Sequence, residues 1–340
     1  METGDFSAVC SKKIEDEYIL YMSRKNFGKN IILVAAAFFA AAMVIFPAVT
    51  EAGSKAAIII WANSIVPVLL PFFIFADFIK KTYNLERLPV RVYPFVIAFL
   101  SGYPMGAKIV GDMVTSGTIT REKGKVILSY SLVTGPAFIM GTLGAFLGSP
   151  EAALVVAISH YCGAFLNILF HKETASDIWT SSHKGEISGF SYFNDSLVDG
   201  PVKKKNRSTS SLENFTQSIV AGFKSMAIIL AYLIIFMIGI ELLETSGALG
   251  HLHNEVVSSV LKGILEMTVG SNMVGLCNIS LSMKTVLISF IVSFGGLSVI
   301  GQSVSMASGS GIGLWDIIKI KLTHGLLAGI IAVILVRIML

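Results

Sequence analysis

The sequence predicts an all-α integral membrane protein, built as an inverted repeat of two modules that each contain a re-entrant hairpin and a broken transmembrane helix. Three observations predict this class. Of the 340 residues, 54% are hydrophobic and only 14% are charged, and the mean hydropathy is +0.73, which is far from that of an ordinary soluble domain. The apolar residues are gathered into spans. The second half of the chain repeats the pattern of the first, and we expect about seven crossings in total.

Seven apolar runs approach the roughly 20 residues that a helix needs to cross a bilayer. They are residues 31–49, 56–79, 124–147, 152–170, 219–243, 284–306 and 317–339. Two further apolar stretches, 92–117 and 255–283, are interrupted by Ser-Gly, Tyr-Pro and Gly-Ser-Asn, which indicates re-entrant hairpins. The first run follows about thirty mostly polar residues and no Ala-x-Ala site follows it, so we interpret it as a retained helix and not as a signal peptide.

The repeat is visible in paired interruptions. The segment TGPAFIMG, residues 134–141, matches FGGLSVIG, residues 294–301, and the helices that follow carry Ser159-His160 and Thr323-His324. In membrane proteins, interruptions at corresponding places in two halves indicate a solute site at the repeat interface. Transport is therefore the leading hypothesis.

Basic residues predict the orientation, because short cytoplasmic loops retain Lys and Arg. With the amino terminus in the cytoplasm, four of the 26 basic residues lie on the opposite side or in the outer hairpin, namely Lys55, Lys262, Lys284 and Arg337. The two halves then begin on opposite faces of the membrane, as an inverted repeat requires.

This topology divides the chain into five parts. They are a cytoplasmic amino-terminal tail (1–30), a leading transmembrane helix (31–55), a first repeat (56–171), a basic flexible cytoplasmic linker (172–212) and a second repeat (213–340). The linker carries Lys203, Lys204, Lys205 and Arg207, which fit a charge cluster that keeps it in the cytoplasm. The alternative is that these charges attract anionic lipid or a partner protein.

The expected tip of the first hairpin is LSGYPMGAK, residues 100–108. Such a tip exposes backbone N–H groups at the start of the next half-helix, where the helix dipole favours an anion. Lys108, one turn further on, can add a full charge, or it can extend toward the cytoplasm beside a simple tight turn. The candidate solute-binding residues here are Ser101, Gly102, Tyr103, Gly106 and Lys108.

The second hairpin contains EMTVGSN, which provides Glu266, Thr268, Gly270 and Asn272 as candidates. A carboxylate at membrane depth is costly and therefore a functional candidate. Glu266 can bind a coupling cation, take up a proton or pair with Lys108. Alternatively, it lies in the headgroup region.

The broken crossings supply the remaining candidates: Thr134, Gly135, Pro136, Gly295, Gly296, Ser298 and Gln302. Gly frees the backbone and Pro removes a helix hydrogen bond, so both can unwind a helix near mid-span; the alternative is a mere kink. His160 and His324 occupy matching places and are candidates for proton or ion coupling. The alternative is that they are packing residues, as a single His within a membrane helix often is.

Together these segments resemble a known family. VPVLLPFFIFADFI (66–79), LSGYPMGAK, TGPAFIMG with its trailing GSP, and the late GLSVIGQ are similar to the sporulation integral membrane protein YlbJ family, whose members carry nucleoside-recognition gate domains. The resemblance implies two gate-like modules similar to the half-modules of concentrative nucleoside transporters. It also implies an endospore-forming bacterium, the outer forespore membrane and movement of dipicolinic acid. This chain departs from the family pattern in one segment, SLVTGPAFI, because relatives often have paired Asn before Ser/Gly-Pro there.

The resulting expectation is a transporter of a small anionic solute, with a coupling cation or proton and membrane lipid as further partners and with no nucleic acid. A transporter of nucleosides or other metabolites, and a nontransporting sporulation scaffold, are the alternatives.

An enzyme is not expected, since HExxH, GxSxG and P-loop motifs are missing from the sequence. Cys10, Cys162 and Cys277 lack metal-ligand spacing, so neither a metal nor a cofactor is expected. The oligomeric state stays open.

Overall fold

The computed structural model describes residues 33–34, 36–83, 88–171, 211–247 and 254–340, and within these ranges every regular element is a helix. The chain divides into two compact units, Met1–Ala52 and Gly53–Leu340. The helices are α1 (Ala36–Ile45), α2 (Pro47–Thr82), α3 (Tyr93–Ser101), α4 (Tyr103–Thr115), α5 (Arg121–Ser131), α6 (Phe138–Leu147), α7 (Pro150–Phe170), α8 (Ser211–Thr245), α9 (Glu255–Leu265), α10 (Met267–Leu276), α11 (Leu281–Phe294), α12 (Gly296–Met306) and α13 (Leu314–Met339). The predicted tail and most of the predicted linker lie outside the described residues.

Five segments of the described chain are long and apolar enough to cross a membrane: α2, α7, α8, the pair α11 and α12, and α13. Their surfaces show why a membrane is needed. On α13, Leu326, Ile330, Ile334 and Ile338 recur every four residues and are all exposed. One apolar stripe at helical spacing therefore points outward, as expected for a helix in contact with lipid.

The second span begins earlier than predicted. Residues 47–55 were assigned to the leading transmembrane helix, but they belong to α2, which begins at Pro47. Proline is well tolerated at the first turn of a helix, and the following residues contain only one glycine. One π-helical turn, Trp61–Ile65, precedes Pro67 and Pro71 in α2. In membrane helices, local π-helical adjustments help to satisfy the backbone groups that a proline frees.

Two helical hairpins occupy the stretches that were predicted to hold them. In the first, α3 and α4 pack together around Gly102, whose φ of 82° needs a glycine. In the second, α9 and α10 meet at Glu266, and a Cβ on Gly270 would lie 2.1 Å from the Gly263 Cα. All four arms are too short to span a bilayer, because the longest, α4, has 13 residues.

The two predicted broken crossings are interrupted. The first break is Leu132–Gly135, between α5 and α6. The second lies at Gly295 and Gly296, where α11 ends and α12 begins, and both glycines have positive φ. Each helix that leads into a break is capped at its start, by Thr120 on α5 and by Ser280 on α11. The interruptions therefore lie inside otherwise ordinary helices.

Candidate functional site

The centre of the Gly53–Leu340 unit is polar where α7 packs against α13. His160 on α7 and His324 on α13 are buried, and their ring centroids are 4.7 Å apart. The Nε2–H of His324 donates to the His160 carbonyl oxygen over 2.8 Å. His160 lies ten residues into α7, or about 15 Å from its start, which is close to the middle of a bilayer.

His160 connects the two interrupted helices. Its Nε2 accepts the backbone N–H of Thr134 in the first break at 3.1 Å. Its Nδ1 lies 2.8 Å from the Ser293 hydroxyl, two residues before Gly295. Because a backbone N–H can only donate, Nε2 must be the acceptor and Nδ1 carries the proton. The ring is therefore neutral in this arrangement, with both nitrogens occupied.

Lys321 on α13 is a central residue that our site prediction missed. It is fully buried, and its Nζ donates to the Leu132 carbonyl oxygen in the first break over 3.1 Å. The same nitrogen lies 4.2 Å from the centre of the Tyr103 ring. A Cβ on Gly295 would lie 3.1 Å from the Lys321 Cε, so the side chain also runs beside the second break. Its partners are a carbonyl and a ring, with no carboxylate within 4.0 Å in the described ranges.

A sequence signal for Lys321 was available. The residue lies inside the apolar run 317–339, three positions before His324, and residues three apart share a helix face. A lysine inside a membrane span is a functional candidate by default. The pairing of interruptions had directed our prediction toward Gly and Pro instead.

Tyr103 at the first hairpin tip reaches the other half of the chain. It is buried, and its hydroxyl donates to the carbonyl oxygen of Val292 on α11. A Cβ on Gly106, one turn further, would lie 2.3 Å from the Ser131 carbonyl oxygen at the end of α5. Two predicted residues, Tyr103 and Gly106, therefore contact the segments beside the breaks. The breaks themselves contain three more predicted residues: Thr134, Gly135 and Gly295.

Glu266 at the second hairpin tip is buried and caps α10. One carboxylate oxygen accepts the Val269 N–H over 2.7 Å, and the other accepts the Thr268 hydroxyl over 3.3 Å. The Ser298 hydroxyl faces this carboxyl group, although it makes no hydrogen bond to it. A Cβ on Gly296 would lie 3.0 Å from the Met267 nitrogen. The tip and the second break are thus in contact.

Four buried hydroxyls have no hydrogen-bond partner among the described residues. Ser131 precedes the first break and Ser298 follows the second, whereas Ser159 is next to His160 and Ser271 lies on α10. Buried polar groups are usually satisfied, so each exception needs an explanation, such as a water molecule or a ligand. The exceptions cluster at the breaks and the second hairpin.

The other predicted residues have more varied surroundings. Lys108 pairs with Asp112 on its own helix at 3.4 Å, so its predicted role at the solute stays a prediction. Ser101 lines a small open cavity of about 70 Å³ beside the first tip, together with Asp77 and Ser225. Pro136, Asn272 and Gln302 are half-buried.

Asn167 is a second central residue that our site prediction did not include. Its side-chain amide donates to the Ser129 and Ile320 carbonyl oxygens, both at 3.0 Å. The Thr323 hydroxyl lies 2.6 Å from its carbonyl oxygen. Asn167 therefore joins α5, α7 and α13 beside the central cluster.

Within the described ranges no group of His, Cys, Asp or Glu side chains is arranged to hold a metal ion.

Interrupted helices, apolar outer faces and buried ionisable groups define an all-helical integral membrane protein. The chain is similar to the Sporulation integral membrane protein YlbJ of Bacillus subtilis (strain 168), with 22% identity over 342 residues that cover 91% of this chain and 84% of the relative. The predicted resemblance to the YlbJ family is thereby confirmed. No protein-family model matches the chain, and no solved structure matches it.

Proposed function

We propose that this protein transports a small anionic solute across a membrane, and that the solute is dipicolinic acid, moved across the outer forespore membrane during sporulation. The similarity to a sporulation integral membrane protein supports a role in sporulation. The resemblance to gate-domain proteins supports transport, and a planar dianion suits a site of half-helix ends, hydroxyls and a buried cation.

The observation that carries the proposal is the way in which the first break is held. Lys321 binds the carbonyl oxygen of Leu132, His160 binds the N–H of Thr134, and the Tyr161 hydroxyl donates to the Thr134 carbonyl oxygen over 2.9 Å. Side chains from α7 and α13 thus satisfy backbone groups that a continuous helix would satisfy itself. Irregular backbone at membrane depth persists where protein or a water-filled cavity supplies such partners.

The packing of the helices supports the inverted repeat within Gly53–Leu340. If α2 to α7 correspond to α8 to α13 in order, contacts between the halves occur in reciprocal pairs. The contact of α4 with α12 corresponds to the contact of α10 with α6. The contact of α5 with α13 corresponds in the same way to the contact of α11 with α7. The pairs α2 with α8 and α7 with α13 are self-reciprocal. Two modules related by a pseudo-twofold axis produce this pattern.

Glu266 is the candidate for coupling transport to an ion gradient. It is the buried carboxylate at a hairpin tip, and it lies against the second break. Uptake or release of a proton, or of a cation, changes the charge at that tip. His160 and His324 are the further candidates. Protonation of His160 on Nε2 would place that N–H opposite the backbone N–H of Thr134. Two donors cannot bond to each other, so the contact that holds the first break would be lost.

Uptake of labelled dipicolinate by vesicles that contain only this protein tests the proposal. We expect uptake above that of empty vesicles, with an imposed pH gradient changing its rate. Competition by unlabelled uridine separates the alternative of a nucleoside transporter. Uptake equal to that of empty vesicles would contradict the proposal.

A further inference from the structure

Two buried lysines differ in how their charge is compensated. Lys262 on α9 pairs with Glu244 at the end of α8. Lys321 faces a carbonyl oxygen and an aromatic ring. A charged side chain within a membrane helix is costly unless a partner compensates its charge. The charge of Lys321 is therefore costly, and a neutral side chain could fill the same volume.

The surroundings of Lys321 suit a carboxylate on a small ring. The Tyr103 ring lies on one side of the ammonium group, and the His160 ring meets Tyr103 edge to face at 6.2 Å between centroids. Unpartnered hydroxyls of Ser131 and Ser298 lie at the two breaks. These groups offer a positive charge, aromatic faces and donors, which is what an aromatic carboxylate requires.

We propose that Lys321 is the specificity-determining residue for the charge of the solute. Its ammonium group leaves the Leu132 carbonyl oxygen and binds a carboxylate of the solute, while the aromatic rings of Tyr103 and His160 contact the solute ring. The first break is thereby released when the solute binds. This inference rests on the proposed transport function and assigns the anion to Lys321 in place of Lys108.

Binding of two matched probes to the purified full-length protein tests the inference. Dipicolinate is a dianion, and pyridine-2,6-dicarboxamide is a neutral molecule of nearly the same shape. Titration calorimetry in detergent gives the affinity of each for the wild type, for Lys321→Gln and for Lys321→Met. Lys262→Gln is the matched control, since it removes another buried lysine that is already neutralised.

We expect the wild type to prefer the dianion. We expect Lys321→Gln to lose at least about 30-fold in dipicolinate affinity, the usual effect of removing one partner of a buried charge pair. Diamide binding should be unchanged, and Lys262→Gln should behave as the wild type. Gel filtration and thermal unfolding establish that the variants are folded. The comparison of dianion and diamide on the wild type needs no variant.

The outcomes separate this inference from the proposed function. If the wild type takes up dipicolinate and Lys321→Gln keeps the same affinity and the same preference for the dianion, the inference alone is wrong. Equal affinity of the wild type for dianion and diamide also overturns it. If the wild type binds neither probe and takes up no dipicolinate, the proposed function fails together with the inference.

Discussion

At the scale of single residues, His160 joins the two interrupted helices. Replacing it by alanine leaves the Thr134 N–H without a partner and removes the contact to Ser293. Unsatisfied buried groups cost about 1–3 kcal/mol each in soluble proteins, and hydrogen bonds within membranes are worth less. We expect His160→Ala to lower the free energy of unfolding by about 1–3 kcal/mol, measured by unfolding in detergent.

His171→Ala is the matched control for that prediction. His171 follows the end of α7 and is half-buried. Among the described residues its side chain makes one hydrogen bond, with the Thr323 hydroxyl at 3.1 Å. Its loss should cost less than about 1 kcal/mol. Equal effects of the two alanine variants would show that His160 does not hold the first break.

A substitution at Glu266 can remove its ionisation and keep its capping hydrogen bond. A glutamine can still accept the Val269 N–H and cap α10, so Glu266→Gln should unfold at nearly the temperature of the wild type. The variant cannot ionise. We expect its uptake of dipicolinate to be abolished, or to lose the pH dependence of the wild type if Glu266 acts only in proton coupling.

Glu255→Gln serves as the control, because Glu255 is exposed in the first turn of α9. Its uptake and pH profile should match those of the wild type. A Glu266→Gln protein with full uptake and an unchanged pH profile would remove Glu266 from the mechanism.

At the scale of elements, close backbone contacts position the first hairpin. A Cβ on Gly106 would lie 2.3 Å from the backbone oxygen of Ser131, which cannot rotate away. We expect Gly106→Ala to destabilise the protein by about 3 kcal/mol, at the upper end of the range for overpacking, and to reduce uptake. Thermal unfolding and vesicle uptake measure the two effects.

Gly301→Ala is the appropriate control for this element. Gly301 lies within α12, and a Cβ there would meet nothing within 4 Å. Alanine favours helix over glycine by about 1 kcal/mol, so the variant should be as stable as the wild type or more stable. A destabilisation of Gly301→Ala as large as that of Gly106→Ala would argue against the close approach.

The sequence predicted hairpins and breaks where Gly and Pro interrupt apolar runs, because these residues change local backbone preferences. The second break, Gly295–Gly296, falls inside the predicted segment for this reason. The first break begins earlier than predicted, at Leu132. Leu and Val give no local signal there, since a lysine and a histidine from distant helices bind the freed backbone. Such tertiary contacts cannot be inferred from spacing alone.

At the scale of the whole molecule, the linker separates a transporter from a scaffold. Lys203, Lys204, Lys205 and Arg207 lie outside the described residues. Replacing all four by glutamine keeps the length of the linker and removes its charge. We expect such a variant to take up dipicolinate at the wild-type rate, because the central cluster is built from the repeats. Loss of sporulation with intact uptake would instead favour recruitment of partners through the linker.

The orientation of the chain is the last prediction. The Arg121 guanidinium binds Asp316 at 2.8 Å, so the starts of α5 and α13 lie on the same membrane face. The positive-inside rule assigns Arg121 to the cytoplasm, and α13 then carries Leu340 to the opposite side. A protein whose three cysteines are replaced, with Leu340→Cys or Lys205→Cys added, can be labelled in intact cells with an impermeant maleimide. We expect labelling at 340 only, and at both positions after permeabilisation. Labelling at 205 but not at 340 in intact cells would reverse the topology.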